Sequence, residues 1–447
     1  MKKCLHTIIA FRKFRGDTVI STEQSERRNL FHHQVAPYEA ISLIVVPFMK
    51  RGIILLVVIC ANFTYARSAA KHTPEQLRNI IGVTHVNGQY HLTENDFLNE
   101  GADQILSLGS QVIKVWFDTP SDSYRFNSEW PRVGSMVEIA QSPHFRSLFD
   151  KPFTTYILMC FSMGRAAGYF RDGLTDEQRA DEQRQFYDLA KHLLTTYKGA
   201  GKTFILQHWE GDWLIRGNFN KDVDPEPKAI QGMIDWLNAR QAGINQARKE
   251  FGRIGPASPV SPVRDTLRWD ALRRDGRAHV RVYHAAEVNL VVASMEQNRP
   301  GLVNAVLPHT KLDLVSYSAW DSATAHFEDP NILRRALDFI AENAPDSPDF
   351  GDKNVYIGEF GMPENEFGVE KIRKAIPAAV STALDWGCPY IVYWQVYCNE
   401  LRPGKGPAPV KNNDDVRGFW LIRPDGSKTW LWDYFHSLLN LPATACL

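Results

Sequence analysis

The chain has 447 residues, of which 44% are hydrophobic and 23% are charged, a composition typical of a folded globular protein and not of a disordered or fibrous one. The formal net charge is zero, but residues 1–70 carry ten Lys/Arg against four Asp/Glu, which leaves the rest of the chain near −6. A mildly acidic body argues against nucleic acid or an anionic membrane surface as a partner.

Residues 49–70 have the pattern of a secretory signal peptide. Met49 is followed by two basic residues, a short apolar run over 52–60 and a zone of small residues that ends at Ala70. The apolar run is too short to span a bilayer as a helix. We therefore expect residues 1–48 to be a non-native extension or disordered, and residues 71–447 to be a single secreted or periplasmic domain without stable membrane insertion. An uncleaved signal anchor is the alternative.

From residue 77 onward, short apolar runs alternate with helical stretches. The runs cover residues 80–86, 112–117, 154–161, 203–207, 280–285, 312–317, 354–357 and 390–394. The amphipathic or strongly charged stretches predict helices over residues 94–108, 176–197, 228–251, 332–343, 369–386 and 431–439. Eight apolar strands mostly separated by helices predict an α/β fold of the (β/α)8 barrel type.

A doubly wound sheet is the rival architecture, but no Gly-rich nucleotide fingerprint follows the first run and no phosphate loop is present. The sequence therefore predicts no nucleotide cofactor. Residues 418–426 indicate a small hairpin or turn before the closing helix. Residues 255–277 are rich in Pro and Arg and predict a long loop.

The cysteines of the expected mature chain are Cys160, Cys388, Cys398 and Cys446, and they show no metal-finger spacing. Export permits disulfides, so Cys388 could pair with Cys398. Cys160 and Cys388 lie in apolar runs, where buried free thiols are equally expected.

In barrels of this type, catalytic residues lie at the C-terminal ends of the strands. Carboxylates, aromatic rings, amides and imidazoles occur at these positions: His85, Trp116, Asp118, His208, Trp209, Glu210, Glu287, Asn289, Tyr317, Trp320, Glu359 and Trp394. This mixture suits a carbohydrate ligand. One carboxyl can protonate the leaving oxygen of a glycosidic bond while the other stabilises the cationic ring carbon.

The order of these residues resembles the retaining glycoside hydrolases of clan A. Enzymes of that clan have an acid/base Glu after strand four and a nucleophilic Glu at the end of strand seven, and Glu210 and Glu359 occupy these places. The Gly-Glu-Phe-Gly motif around Glu359 is the closest match. Tyr317 fits the clan's Tyr that touches the nucleophile, and Trp394 fits its Trp under the central sugar. The resemblance implies a retaining O-glycosidase that needs no cofactor.

Two positions depart from the clan's pattern. Trp209 precedes Glu210 where the clan has an Asn that binds the sugar 2-hydroxyl, and Asn289, His208 or Gln207 are candidates to replace it. The clan's Arg on strand two is missing, with Lys114 or nothing in its place.

Other interpretations stay open at this point. Glu287 competes with Glu210 for the acid role, or it binds substrate. Trp209, Trp320, His85 and His208 are further candidates for contact with the sugar, although His85 and His208 could equally be ordinary hydrogen-bonding groups.

Two other functional classes also fit the pattern. A metal-dependent barrel isomerase or hydrolase could use His85, His208 and the three glutamates as ligands, although no HxH or HExxH spacing is present. A catalytically inactive, carbohydrate-binding barrel is the third possibility, motivated by the atypical Trp209.

Overall fold

A computed structural model describes residues 72–252 and 279–441, and it shows a closed barrel of eight parallel strands in sequence order. Each strand pairs with the next, and the last pairs with the first. The predicted (β/α)8 barrel is thus confirmed. The strands are β1 Ile81–His85, β2 Val112–Trp116, β3 Thr155–Met159, β4 Thr203–Gln207, β5 Arg281–Val288, β6 Leu314–Ser318, β7 Val355–Phe360 and β8 Ile391–Tyr393.

Helices surround the barrel: α1 Pro74–Arg78, α2 Phe97–Leu108, α3 Pro120–Ser123, α4 Met136–Gln141, α5 Pro143–Asp150, α6 Asp176–Thr196, α7 Gly211–Arg216, α8 Pro227–Phe251, α9 Val291–Gln297, α10 Pro330–Asn343, α11 Glu364–Phe367, α12 Val369–Trp386 and α13 Trp430–Asn440. The six predicted helices are present. The helix predicted from residue 94, α2, begins instead at residue 97, because the Asp96 side chain accepts from the Asn99 amide and caps the helix there. The short helices, including α7, were not predicted.

The longest two helices, α6 and α8, pack against each other on the outside of the barrel. Thr175 and Gln178 cap the start of α6 reciprocally. Between the helices, the buried Glu182 carboxylate accepts from Arg240 at 2.6 Å. This buried ion pair lies outside the barrel interior.

Side chains alternate along each strand between the barrel interior and the surrounding helices, as the period of two requires. The interior holds an apolar cluster: Val112, Ile157, Ile205, Tyr283, Ala285, Leu314, Phe350, Tyr356, Tyr390 and Val392. Two residues further along four of these strands, the interior becomes polar, with Lys114, Gln207, Glu287 and Ser316. We call these four side chains the polar layer. It lies toward the C-terminal ends of the strands.

A β-bulge interrupts β7 just before Glu359. Tyr317 on β6 pairs with Ile357, but the next residue, Ser318, pairs with Glu359, so Gly358 is the extra residue. A Cβ atom on Gly358 would lie 1.8 Å from the Ser316 hydroxyl oxygen, so only glycine fits. The bulge changes which face of β7 its last residues present.

The chain after β8 closes the barrel. An isolated antiparallel bridge joins Ile422 and Lys428, which confirms the predicted turn, and α13 then packs on α1 and α2. Cys160, Cys388 and Cys398 are buried free thiols, so the suggested pairing of Cys388 with Cys398 is wrong.

Several predictions fall outside the described residues: the signal segment and extension over 1–70, the loop over 255–277, and Cys446. Within residues 72–252 and 279–441, no helix is long and apolar enough to cross a membrane.

Candidate active site

The polar layer contains a lysine between two glutamates from distant strands. The Lys114 ammonium on β2 lies 2.8 Å from Oε1 of Glu287 on β5 and 2.8 Å from Oε1 of Glu359 on β7. All three side chains are buried. Burial lowers the pKa of Lys114, but the two carboxylates raise it by more, so the net shift is upward. Lys114 therefore carries a positive charge between the two glutamates.

Glu287 is fully buried and accepts four hydrogen bonds. Its Oε1 accepts from Lys114, from Gln207 at 2.9 Å and from Ser316 at 2.9 Å. Its Oε2 accepts from the backbone amide of Glu210 at 3.0 Å. Burial raises the pKa of Glu287, but Lys114 and these hydrogen bonds lower it by more, so the net shift is downward. An ionised carboxylate that is saturated with donors is poorly suited to give a proton to substrate or to bind a sugar.

Glu359 has a different environment from Glu287. Its Oε1 accepts from Lys114, and its Oε2 accepts from the indole Nε1 of Trp320 at 3.2 Å. Burial, reinforced by the negative charge of Glu287 and opposed by Lys114, raises the pKa of Glu359 to about 7. This carboxyl can therefore change its charge near neutral pH.

Glu210 stands between the end of β4 and the first residue of α7. Its side chain is buried. Its backbone is anchored at both ends, because its amide donates to Glu287 and its carbonyl accepts from the Trp213 amide at 3.2 Å. The position of Glu210 thus depends directly on the polar layer.

Aromatic rings line the region beside Glu359. The Trp394 ring, whose residue is 7% exposed, meets Trp116 edge to face at a centroid distance of 5.7 Å and Trp320 at 6.3 Å. Phe419, from the loop after β8, lies 5.6 Å from Trp320. Such a wall of flat apolar rings can pack against the C–H faces of a sugar. Trp116, at the end of β2, shares the interior face of that strand with Lys114, and this spacing of two residues indicates that it can contact a sugar.

The structure corrects the expectation that Tyr317 touches the strand-seven glutamate. Tyr317 shares the outward face of β6 with Val315. Its hydroxyl donates to Asp321 at 2.5 Å and lies 2.7 Å from the Ser322 hydroxyl oxygen. The hydrogen bond to Glu359 comes instead from Trp320. Burial raises the pKa of Asp321 to about 7.

His85 and His208 also lie on the outer side of the barrel wall. Nε2 of His85 hydrogen-bonds to the carbonyl of Phe97 in α2 at 2.7 Å, and the ring of His208 packs 5.5 Å from Trp236 in α8. His208 accepts from the Glu287 amide at 3.3 Å. Burial lowers the pKa of both imidazoles to about 4, so both are neutral at pH 7.

These positions contradict the proposed metal ring, because its two histidines do not face the glutamates. Among residues 72–252 and 279–441, no group of three or more His, Cys, Asp or Glu side chains could hold a metal ion.

Asn289 and Trp209, the remaining predicted site residues, have different surroundings. Asn289 exchanges two hydrogen bonds with Asp212: its amide donates to Oδ2 at 3.0 Å, and its Oδ1 accepts from the Asp212 amide at 3.1 Å. This pair joins the end of β5 to α7, so Asn289 has a clear structural role. Trp209 is half-buried, and its ring lies 6.1 Å from Phe219, which in turn lies 5.6 Å from Trp213.

No family model and no curated protein sequence matches the chain. Solved structures with similar folds include a GH5_18 protein from Streptomyces cattleya in complex with Manb1-4GlcNAc, at 12% identity and a TM-score of 0.48, covering 81% of this chain and 82% of that one. A GH5-4 broad specificity endoglucanase from Bacteroides salanitronis matches at 12% identity and a TM-score of 0.42, covering 81% and 92%. Fungal β-1,4-galactanase matches at 12% identity and a TM-score of 0.45, covering 80% and 98%. Identities and TM-scores this low carry no inference about activity.

Proposed function

We propose that this protein is an exported glycoside hydrolase that cleaves O-glycosidic bonds of an oligo- or polysaccharide with retention of anomeric configuration. Glu359 is the nucleophile and Glu210 is the acid/base. The observation that carries the proposal is the setting of Glu359. Its carboxyl lies at the C-terminal end of β7, where it accepts hydrogen bonds from Lys114 and Trp320. It lies beside the aromatic rings described above.

The reaction has two steps. In the first, a Glu359 oxygen attacks the anomeric carbon and the bond to the leaving oxygen breaks, while Glu210 gives its proton to that oxygen. In the second, Glu210 takes a proton from water, the water oxygen attacks the anomeric carbon, and the bond to Glu359 breaks. Each carboxyl returns to its starting state, and no cofactor is required.

The charge environment favours Glu359 over Glu287 as the proposed nucleophile. Within the described part of the chain, the Glu359 carboxylate accepts hydrogen bonds from two donors, whereas the Glu287 carboxylate accepts from four. Attack requires the ionised form of Glu359, and its pKa near 7 places that ionisation in the working range. Activity should therefore rise as pH increases through about 7.

Export of the mature chain is part of the same proposal. The segment over residues 49–70 is the proposed signal peptide, and the acidic, Trp-rich remainder is the proposed carbohydrate-binding and catalytic domain. Nucleic acid is not a proposed partner.

The function is tested by assaying the purified protein on a panel of aryl glycosides and polysaccharides, with Glu359→Ala, Glu210→Ala and Glu364→Gln variants. Glu364, bound to Arg423 and Trp420 after β7, is the control away from the polar layer. Glu359→Ala should lose turnover by at least about 10³-fold. Glu210→Ala should retain activity on glycosides with acidic leaving groups, and azide should accelerate it by attacking the glycosyl-enzyme.

Near-wild-type turnover by Glu359→Ala would refute the assignment. Sugar binding without turnover of any substrate would indicate the inactive, carbohydrate-binding barrel instead. The Glu364→Gln control should keep the wild-type rate.

A further inference from the structure

We propose that Glu287 is a positioning residue that couples the carboxyl groups of Glu359 and Glu210. One oxygen of Glu287 binds the Lys114 ammonium, which also contacts Glu359. The other oxygen accepts a hydrogen bond from the backbone amide of Glu210. The catalytic consequence rests on the proposed function, whereas the coupling itself is a property of the folded protein. Glu287 touches no bond that breaks or forms, and it acts through its neighbours.

The first connection runs from Glu287 through Lys114 to Glu359. One ammonium lies 2.8 Å from an oxygen of each carboxylate, and both glutamates are buried. A single positive charge shared between two carboxylates stabilises each ionised form less than it would stabilise one alone. The charge on Glu287 therefore controls how easily Glu359 ionises.

The second connection runs from the other oxygen of Glu287 to Glu210. Oε2 of Glu287 accepts from the Glu210 amide at 3.0 Å, just where β4 ends and α7 begins. The neighbouring Asp212–Asn289 pair joins the same two chain segments two residues further along each of them. Glu287 thus fixes the backbone from which the Glu210 side chain projects.

Titratable groups surround Glu287 on the neighbouring elements. Lys114 on β2 and Tyr356 with Glu359 on β7 lie near its carboxylate. In the segment between β4 and α7, Glu210 contacts the carboxylate through its backbone amide, and the His208 ring accepts from the backbone amide of Glu287. His208 is neutral at pH 7, since burial lowers its pKa to about 4, and burial holds the pKa of Tyr356 well above its ordinary value. Among these groups, the charge that changes near neutral pH is therefore that of Glu359, beside a Lys114 cation whose pKa is raised.

The coupling is tested without any substrate by following carboxyl resonances of protein labelled with [5-¹³C]glutamate during a pH titration. The Glu359 resonance is identified by its loss in Glu359→Gln. In Glu287→Gln the Lys114 cation has Glu359 as its one carboxylate partner in this cluster, and the negative charge of Glu287 is gone. The pKa of Glu359 should therefore fall by at least about one unit. Glu182→Gln makes the same change in a buried ion pair outside the barrel interior and should leave the Glu359 titration unchanged.

An unshifted or raised pKa of Glu359 in folded Glu287→Gln would overturn the proposal. If Glu287→Gln does not fold, the carboxyl resonances of the wild-type protein still test the proposal. Only one carboxyl of the Glu287–Glu359 pair should be protonated at about pH 6, and finding both protonated or both ionised would overturn it.

The effect on Glu210 is tested with aryl glycosides whose leaving groups differ in acidity, using those that the wild-type protein hydrolyses. An amide at position 287 can place an N–H against the Glu210 amide and displace it. Glu287→Gln should therefore lose at least about tenfold more kcat/KM on poor leaving groups than on good ones, because only poor leaving groups need the proton. The acidic limb of its pH profile should also move to lower pH.

If the role of Glu287 were purely structural, Glu287→Gln would lower kcat/KM equally for good and poor leaving groups and would leave the pH profile unshifted. That result would refute the positioning role. A protein that shows the expected titrations but hydrolyses no glycoside would refute the proposed function and leave the coupling standing.

Discussion

Replacing Lys114 with Met tests whether the lysine neutralises the two buried glutamates. At 2.8 Å, each ion pair has a Coulomb energy of about 6 kcal/mol at an effective dielectric constant of about 20, before the cost of desolvation is subtracted. Removing one partner from a buried ion pair typically costs about 3–5 kcal/mol. We expect a loss of this size in the free energy of unfolding near pH 8, where both carboxylates would be ionised without a cation.

The loss should depend on pH with a definite sign. In the wild-type protein, burial raises the pKa of Glu359 from 4.5 to about 7. Its protonation therefore favours the folded state fully below the unfolded value, and this stability is lost as pH rises through about 7. In Lys114→Met, the pKa of Glu287 rises as well, so two carboxyls bind protons in the folded state. The difference in stability between the proteins should widen by up to about 1.4 kcal/mol per pH unit between about pH 5 and 7.

Urea denaturation of both proteins at about pH 5.5 and pH 8 measures this difference. Lys114→Arg retains the cation and serves as the matched control, with a smaller loss and the pH dependence of the wild type. The reasoning would be refuted by a stability difference for Lys114→Met of the same size at both pH values. It would also be refuted by an equal loss in the Arg variant.

Three further substitutions test the environment of Glu359. Gly358→Ala places a Cβ atom 1.8 Å from the Ser316 hydroxyl oxygen on β6. It should lower the free energy of unfolding, measured by urea denaturation, by about 1–3 kcal/mol. Unchanged stability would contradict the packing described for the bulge. Trp320→Phe removes the indole donor from Oε2 of Glu359, so the acidic limb of kcat/KM should move to higher pH, and an unshifted limb would exclude that hydrogen bond. Tyr317→Phe should lower the free energy of unfolding by about 1–3 kcal/mol, because buried Asp321 loses a donor. It should also keep kcat within a few-fold of wild type, whereas a hundredfold loss would place its hydroxyl in the reaction.

The barrel could be predicted from sequence because its signals are local. Eight apolar runs alternate with helical stretches, and Asp or Thr caps and Gly ends mark several helix boundaries. The residues after the strands gave the set of candidate side chains, since the C-terminal ends of parallel strands meet on one face.

The direction of individual side chains along each strand also follows from the period of two. His85 follows Val83 by two residues and Tyr317 follows Val315 by two, so both lie on the outward, apolar faces of their strands. The same spacing places Trp116 with Lys114 on the inward face. This spacing argues against His85 and Tyr317 as sugar contacts and favours Trp116.

The contacts of Lys114 could not be predicted in this way. Its ammonium joins β5 to β7 across the barrel, and no local pattern records which side chains meet there. The bulge at Gly358 likewise depends on the Ser316 hydroxyl of the neighbouring strand. Glu287 looked like a competing acid because the sequence shows its position but not its four donors.

Trapping the covalent intermediate tests the central assignment most directly. The protein is incubated with a 2-deoxy-2-fluoro glycoside that carries an activated leaving group, chosen to match an aryl glycoside that it hydrolyses, and the digested peptides are analysed by mass spectrometry. The fluorine slows hydrolysis of the glycosyl-enzyme, so the sugar should remain on the peptide that contains Glu359. Attachment to Glu287 or Glu210, or no attachment despite turnover of the parent glycoside, would contradict the assignment of Glu359 as the nucleophile.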